Sequence, residues 1–246
     1  MKRTGRTFIA AVAAMLSTAV GLVATPSAAH AEVTCTYYPY KCGKVINNSG
    51  RTIQIRWYID NVGWHQESLA TGHFQGGYDG DPNTNDIDVD QVQVPSGCVA
   101  NVSVSNSNLK VFPMGWDKLK SDQTVTVNGF SCGDGRVYAW NEPWNDSLDP
   151  PTKACSWFDD DLDWGNDCGV YGFRNLAGSV QNNSSQGNSV NFYFHGGFTG
   201  AWGCLGPGSV WRDLRANRFN LGLGLDGYNK AMYHEIASSK WVRACG

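Results

Sequence analysis

Eight cysteines, all of them after residue 31, constrain this 246-residue chain more than any other feature. They stand at Cys35, Cys42, Cys98, Cys132, Cys155, Cys168, Cys204 and Cys245. An even set behind an export leader reads as four disulfides, and the spacings lack the paired C-x2-C knuckles of structural zinc. The leader itself is legible. Lys2, Arg3 and Arg6 make a basic start, an apolar run extends from Phe8 to Val23, and Ala29-His30-Ala31 suits a signal peptidase. Residues 1–31 are therefore expected to be a signal peptide, leaving a secreted, extracellular chain that begins at Glu32. The apolar run is short for a bilayer span and nothing comparable follows it, so no membrane span is expected. Local spacing favours Cys155–Cys168 and Cys204–Cys245, with Cys35, Cys42, Cys98 and Cys132 paired among themselves.

Composition selects the fold class. Charged residues are 17% of the chain, against a usual figure of about 25%. Glycine (29) and tryptophan (10) are abundant, and the helix-forming residues are few. Such a turn-rich, aromatic-rich chain reads as all-β. Acidic residues (22) outnumber basic ones (19), and Lys2, Arg3 and Arg6 fall in the leader, so nothing basic enough to track a phosphate backbone remains. The length divides into two domains, over residues 32–128 and 129–246.

The segment RTIQIRWYID, 51–60, alternates strictly, with Ile53, Ile55, Trp57 and Ile59 on one face. A strand is expected over 86–94, where the apolar phase slips from Ile87 and Val89 to Val92 and Val94, the mark of a β-bulge. Alternation recurs at 99–105 (Val102, Val104), 108–112 (Leu109, Val111) and 123–128 (Val125, Val127). Short strands with turns between them predict an antiparallel β-sandwich over 32–128, of unknown role. The loop 79–90 places Asp79, Asp81, Asn83 and Asn85 at alternate positions and Asp90 at the twelfth, a spacing of hard oxygen ligands that suits weak calcium binding. The alternative is a solvated hairpin loop; no other cofactor is expected.

In the second half, 173–179 (FRNLAGS) aligns with 233–239 (YHEIASS), matching Phe173 to Tyr233, Leu176 to Ile236, Ala177 to Ala237 and Ser179 to Ser239. Ahead of the second copy, Tyr193, Phe198 and Gly200 form an aromatic-x4-aromatic-x-Gly pattern, which suits a folded-over hairpin with stacked rings. Trp140 and Trp144 stand in the corresponding place before the first copy.

This pattern, followed by a tail ending in Ser-Ser, resembles the βγ-crystallin Greek key. With 192–202, 206–214 and 233–241 in an exported, cysteine-bearing chain, it is similar to the secreted bacterial peptidase inhibitors built on that fold. The resemblance covers the second half only. It implies a βγ-crystallin-like double Greek-key domain over 129–246 and an extracellular metalloprotease as partner. It also raises calcium, but the leading tail residues Arg174-Asn175 and His234-Glu235 put a cation and an imidazole where oxygen ligands belong. The acidic run 159–167, with Asp159, Asp161, Asp163 and Asp167, is either a second oxygen cluster or a solvated loop.

The inhibitory contact is expected at Cys204-Leu205-Gly206-Pro207, where a disulfide, an exposed apolar side chain and a proline make a stiff segment. The metalloprotease class that the resemblance implies would put the scissile bond at Cys204–Leu205, and the alternative is an ordinary turn with Leu205 tucked inward. Trp140 and Trp144 are the alternative contact. No enzyme is expected: there is no G-x-S-x-G, His234-Glu235 lacks the second histidine of a zinc protease, and all cysteines can pair. The rival function is a carbohydrate- or cell-wall-binding module presenting Trp140, Trp144, Trp157, Trp164 and Trp202 to sugar rings. Oligomeric state is left open.

Overall fold

A computed structural model describes residues 42–77, 87–105, 107–144, 151–166, 168 and 172–246. Every regular element among them is a strand, so the chain is all-β. The strands before Gly133 are β1 (Lys44–Asn47), β2 (Ile53–Ile59), β3 (Gly63–Leu69), β4 (Phe74–Gly76), β5 (Gln91–Val94), β6 (Cys98–Val104), β7 (Val111–Phe112), β8 (Gly115–Lys118) and β9 (Thr124–Cys132). After it come β10 (Arg136–Trp140), β11 (Ala154–Trp157), β12 (Ser179–Asn183), β13 (Ser189–His195), β14 (Thr199–Leu205), β15 (Val210–Trp211) and β16 (Ser238–Val242). No described helix is long and apolar enough to cross a membrane.

The first set of strands makes two sheets, ordered β4-β1-β9-β6-β7 and β3-β2-β5-β8. Their inner faces share one core. The alternation of 51–60 delivers Ile53, Ile55, Trp57 and Ile59 to it, opposite Val45, Val102, Val125 and Val127 from the other sheet. Pairing is not wholly antiparallel as expected: β1 lies parallel to β9, from Lys44↔Thr124 to Asn47↔Val127. The phase slip in 86–94 is not a bulge either. Ile87 and Val89 bond to Gly77 and Gly43 beside β1, whereas Asp90 donates to the Arg56 carbonyl in β2, so the chain changes sheets at this point. The register shift of this half lies instead between β6 and β9, where Asn101 and Val102 face Gly129 and Val127 and leave Asn128 as an extra residue on β9. Over 108–112, Leu109 and Phe112 point inward rather than Leu109 and Val111. β9 runs past residue 128 to Cys132, which faces and bridges Cys98.

The later strands form a sheet ordered β11-β10-β12-β15 and a second ordered β14-β13-β16. A pseudo-twofold relation links them. Trp140 pairs with Ser179 in the first sheet as Tyr193 pairs with Ser238 in the second. Asn175 N–H donates to the Ile236 carbonyl, and His234 N–H returns the bond to Ala177. Asn175 and His234 also share a left-handed backbone, at φ 56° each. These bonds set Asn175 against His234 and Ser179 against Ser238, one residue away from the sequence alignment. Each sheet also borrows across the twofold: β15 pairs with β12, and Asp161 bridges to Ser239 on β16. The second core, with Val137, Trp164, Phe192, Leu205 and Ile236, lies between these sheets.

The two cores share β10. Val137 and Ala139 enter the second, while Tyr138 and Trp140 turn to the first, so the strand is buried on both faces. Trp140 fixes the join by donating its indole N–H to the Val111 carbonyl at 2.9 Å. Gln181, also buried, donates to Cys98 and accepts from Met114 N–H. Arg212, next to β15, reaches Asp117 on β8 at 2.7 Å and also donates to the carbonyls of Met114, Trp116 and Trp144. Gly115 makes room for it, because a Cβ there would meet the guanidinium at 2.8 Å. All the described residues belong to one compact unit.

Candidate functional site

The cysteines pair as the spacing suggests wherever they are described: Cys98–Cys132, Cys155–Cys168 and Cys204–Cys245. Cys42 is disulfide-bonded as well, and Cys35 lies outside the described residues.

The large apolar side chains of both expected contacts are buried, although Pro207 is exposed and Cys204 and Gly206 are half-buried. Leu205 is 3% exposed, its side chain part of the second core and its carbonyl bonded by the Asn182 amide. The register of β14 explains this: Ala201, Gly203 and Leu205 share the inward phase, which leaves Cys204 facing the other way toward Cys245. Gly206 and Pro207 continue into the turn toward β15. Trp140 and Trp144 are buried in the first core, edge to face with ring centroids 6.2 Å apart. Trp157 and Trp164 stack at 4.1 Å in the second core, and Trp202 is half-buried. The indoles named for sugar binding are therefore packing residues, with only Trp202 partly open.

The calcium candidates divide. Asp79, Asp81, Asn83 and Asn85 lie outside the described residues, and Asp90 accepts from Tyr58 N–H at 2.7 Å. Burial is the main reason that the Asp90 carboxyl sits above its ordinary range, with that hydrogen bond opposing it. In the acidic run, Asp161 caps Asp163 N–H, and Asp163 caps Gly165 N–H while facing Arg174 at 3.6 Å. Asp167 lies outside the described residues, and Asp159 is exposed. Among the described residues no three His, Cys, Asp or Glu side chains converge as metal ligands.

A different segment holds a large apolar side chain out to solvent on a hydrogen-bonded turn. Between Phe219 and Lys230 the chain makes a glycine-punctuated loop, LGLGLDG over 221–227. Leu221 exchanges both backbone bonds with Trp202 on β14, and Asp226 accepts from Ala201 N–H. Inside these ties, Leu225 N–H donates to the Gly222 carbonyl, closing a four-residue turn. Gly224 stands at its third position with φ 85°, the left-handed geometry of a type II turn. Gly222 has φ 79°, and a Cβ there would come within 2.6 Å of the Trp202 ring. At the second position of this turn is Leu223, 82% exposed, more than any other large apolar side chain described. Asp226 braces the loop base through His195 Nε2 at 2.8 Å, and that hydrogen bond holds its carboxyl below the usual range. The Cys204–Cys245 bridge ties down the strand on which the loop rests.

The signal for this loop was present as alternating Gly and Leu, but exposure depends on the Trp202 contact, which no local pattern reveals. No protein-family model, curated protein or solved structure matches the chain.

Proposed function

We propose that this protein is a secreted peptidase inhibitor that places Leu223 in the apolar pocket of an extracellular metalloprotease. The observation that carries the reading is Leu223 itself, held out to solvent by a turn whose conformation is fixed before any partner arrives. Such preorganisation lowers the entropy cost of docking. A large apolar side chain suits thermolysin-like metalloproteases, the class implied by the resemblance, which favour one just after the scissile bond. The turn keeps the peptide bonds around Leu223 away from the extended form a protease cleaves. The loop thus acts as a plug rather than as a slow substrate.

The fold reading belongs to the same proposal. The first set of strands is a β-sandwich and the second a βγ-crystallin-like pair of Greek keys. In support of the second, each of its sheets takes a neighbour from the other half of the repeat, and the reciprocal Asn175 and His234 bonds relate the halves. The disulfides suit the oxidising compartment that the leader implies. Titration of the secreted chain against thermolysin-like, serine and cysteine proteases tests the function. Tight stoichiometric inhibition of the metalloprotease alone is expected, and no inhibition of any of them would overturn the reading.

A further inference from the structure

A cleft of about 230 Å3 lies between the edge of β10, the β12–β13 turn and β16, and shares no lining residue with the Leu223 loop. It is smaller than the roughly 300–1,000 Å3 sites that take drug-sized ligands, so it suits a single ring. Phe158, 59% exposed, and Trp241 line it as aromatic walls. Trp241 is held in place by its indole N–H on the Phe158 carbonyl at 3.0 Å and its backbone N–H on Asp160 at 2.7 Å. Gly135 forms part of the lining, and a Cβ there would press on Phe158 at 3.2 Å. The polar lining is Asp159, Ser184, Ser185, Gln186 and Asn188. Ser184 Oγ fixes that turn by accepting the backbone N–H groups of Gln186 and Asn188. Among the described residues, the Asp159 carboxylate and the Gln186 side chain make no hydrogen bond or ion pair within the protein.

We propose that this cleft binds one neutral pyranose ring, the terminal residue of a glycan. A pyranose has an apolar face of C–H groups, which stacks on an aromatic ring, and a rim of hydroxyls that both donate and accept. A carboxylate offers paired acceptors and a carboxamide one donor and one acceptor group, which is the complement of adjacent hydroxyls. The site is independent of the Leu223 loop, so the two proposals stand or fall separately.

The test is calorimetric titration of the secreted chain with neutral oligosaccharides of glucose, galactose, mannose and N-acetylglucosamine. A second arm uses N-acetyl-lysine amide, since an acid between aromatic rings also suits a cation. Saturable binding of at least one oligosaccharide is expected, weakened about tenfold in Phe158→Ala and in Asp159→Ala. Both positions are exposed, so both variants are expected to keep the parent's melting temperature and its protease inhibition. Absence of binding to all four sugar classes, sugar binding unchanged in both variants, or binding of the lysine amide alone would overturn the proposal.

Discussion

Arg212→Met is the perturbation whose cost the structure specifies most fully. The parent guanidinium joins the two cores by one ion pair and three carbonyl bonds. Asp117 is fully buried, and Oδ2 has no hydrogen-bond partner among the described residues. Burial pushes its carboxyl from the ordinary 3.8 up to about 7, against the opposing pull of Arg212. Removing one partner of a buried pair costs about 3–5 kcal/mol, because the other charge stays desolvated. At about 2–4 °C per kcal/mol for a domain of this size, the melting temperature should fall by roughly 6–20 °C at pH 8. The pH dependence has a definite sign. A carboxyl whose folded pKa is raised contributes most stability below its unfolded value, and that contribution declines as pH rises toward about 7. Without Arg212 the folded pKa rises further, so the variant regains part of its deficit at pH 5, where Asp117 is protonated. Adding Asp117→Asn, which removes the charge, should recover part of the loss at pH 8. The assay is thermal unfolding by circular dichroism between pH 5 and pH 8. A variant that melts with the parent throughout, or whose deficit grows toward pH 5, would refute the reasoning.

Gly222→Ala should cost about 1–3 kcal/mol through its left-handed backbone and the Trp202 clash, and should weaken inhibition; unfolding and inhibition titrations check both. Trp140→Ala should cost about 3–5 kcal/mol by opening a cavity in the first core, whereas a surface contact residue would leave the melting temperature unchanged. Chelation of calcium should leave the melting temperature in place; a fall restored by added calcium would assign a metal to Asp79, Asp81, Asn83, Asn85 and Asp90.

What the sequence disclosed follows from which contacts are local. β2 was legible because its inward positions are all apolar. The 193–202 hairpin was legible too: Tyr193 and Phe198 meet at 5.8 Å, and Gly200 takes φ 77°. β3 escaped notice because Gly63, His65 and Glu67 occupy its inward phase, and only pairing with β2 defines it as a strand. Of the two readings of Leu205, an exposed contact braced by Cys204 and Pro207 or an inward residue of an ordinary turn, the structure takes the second, which the alternation of Ala201, Gly203 and Leu205 already marked. Trp140 and Trp144 were read either as core indoles or as surface candidates, and local pattern could not decide between them, because the two cores that bury β10 on both faces are assembled from distant segments. The repeat was found from Ala and Ser matches but set one residue out, since the turn geometry at Asn175 and His234, not residue identity, fixes the correspondence.

Leu223→Asp tests the inhibitory reading most directly. The side chain is 82% exposed, so the substitution should leave the melting temperature within about 1 °C of the parent, as surface changes do. A carboxylate entering an apolar pocket pays desolvation with no partner, and inhibition of a thermolysin-like protease should fall at least a hundredfold, about 3 kcal/mol. Incubation with the protease should also leave the parent loop uncut. Undiminished inhibition by a folded Leu223→Asp variant would contradict the reading and place the contact elsewhere on the molecule.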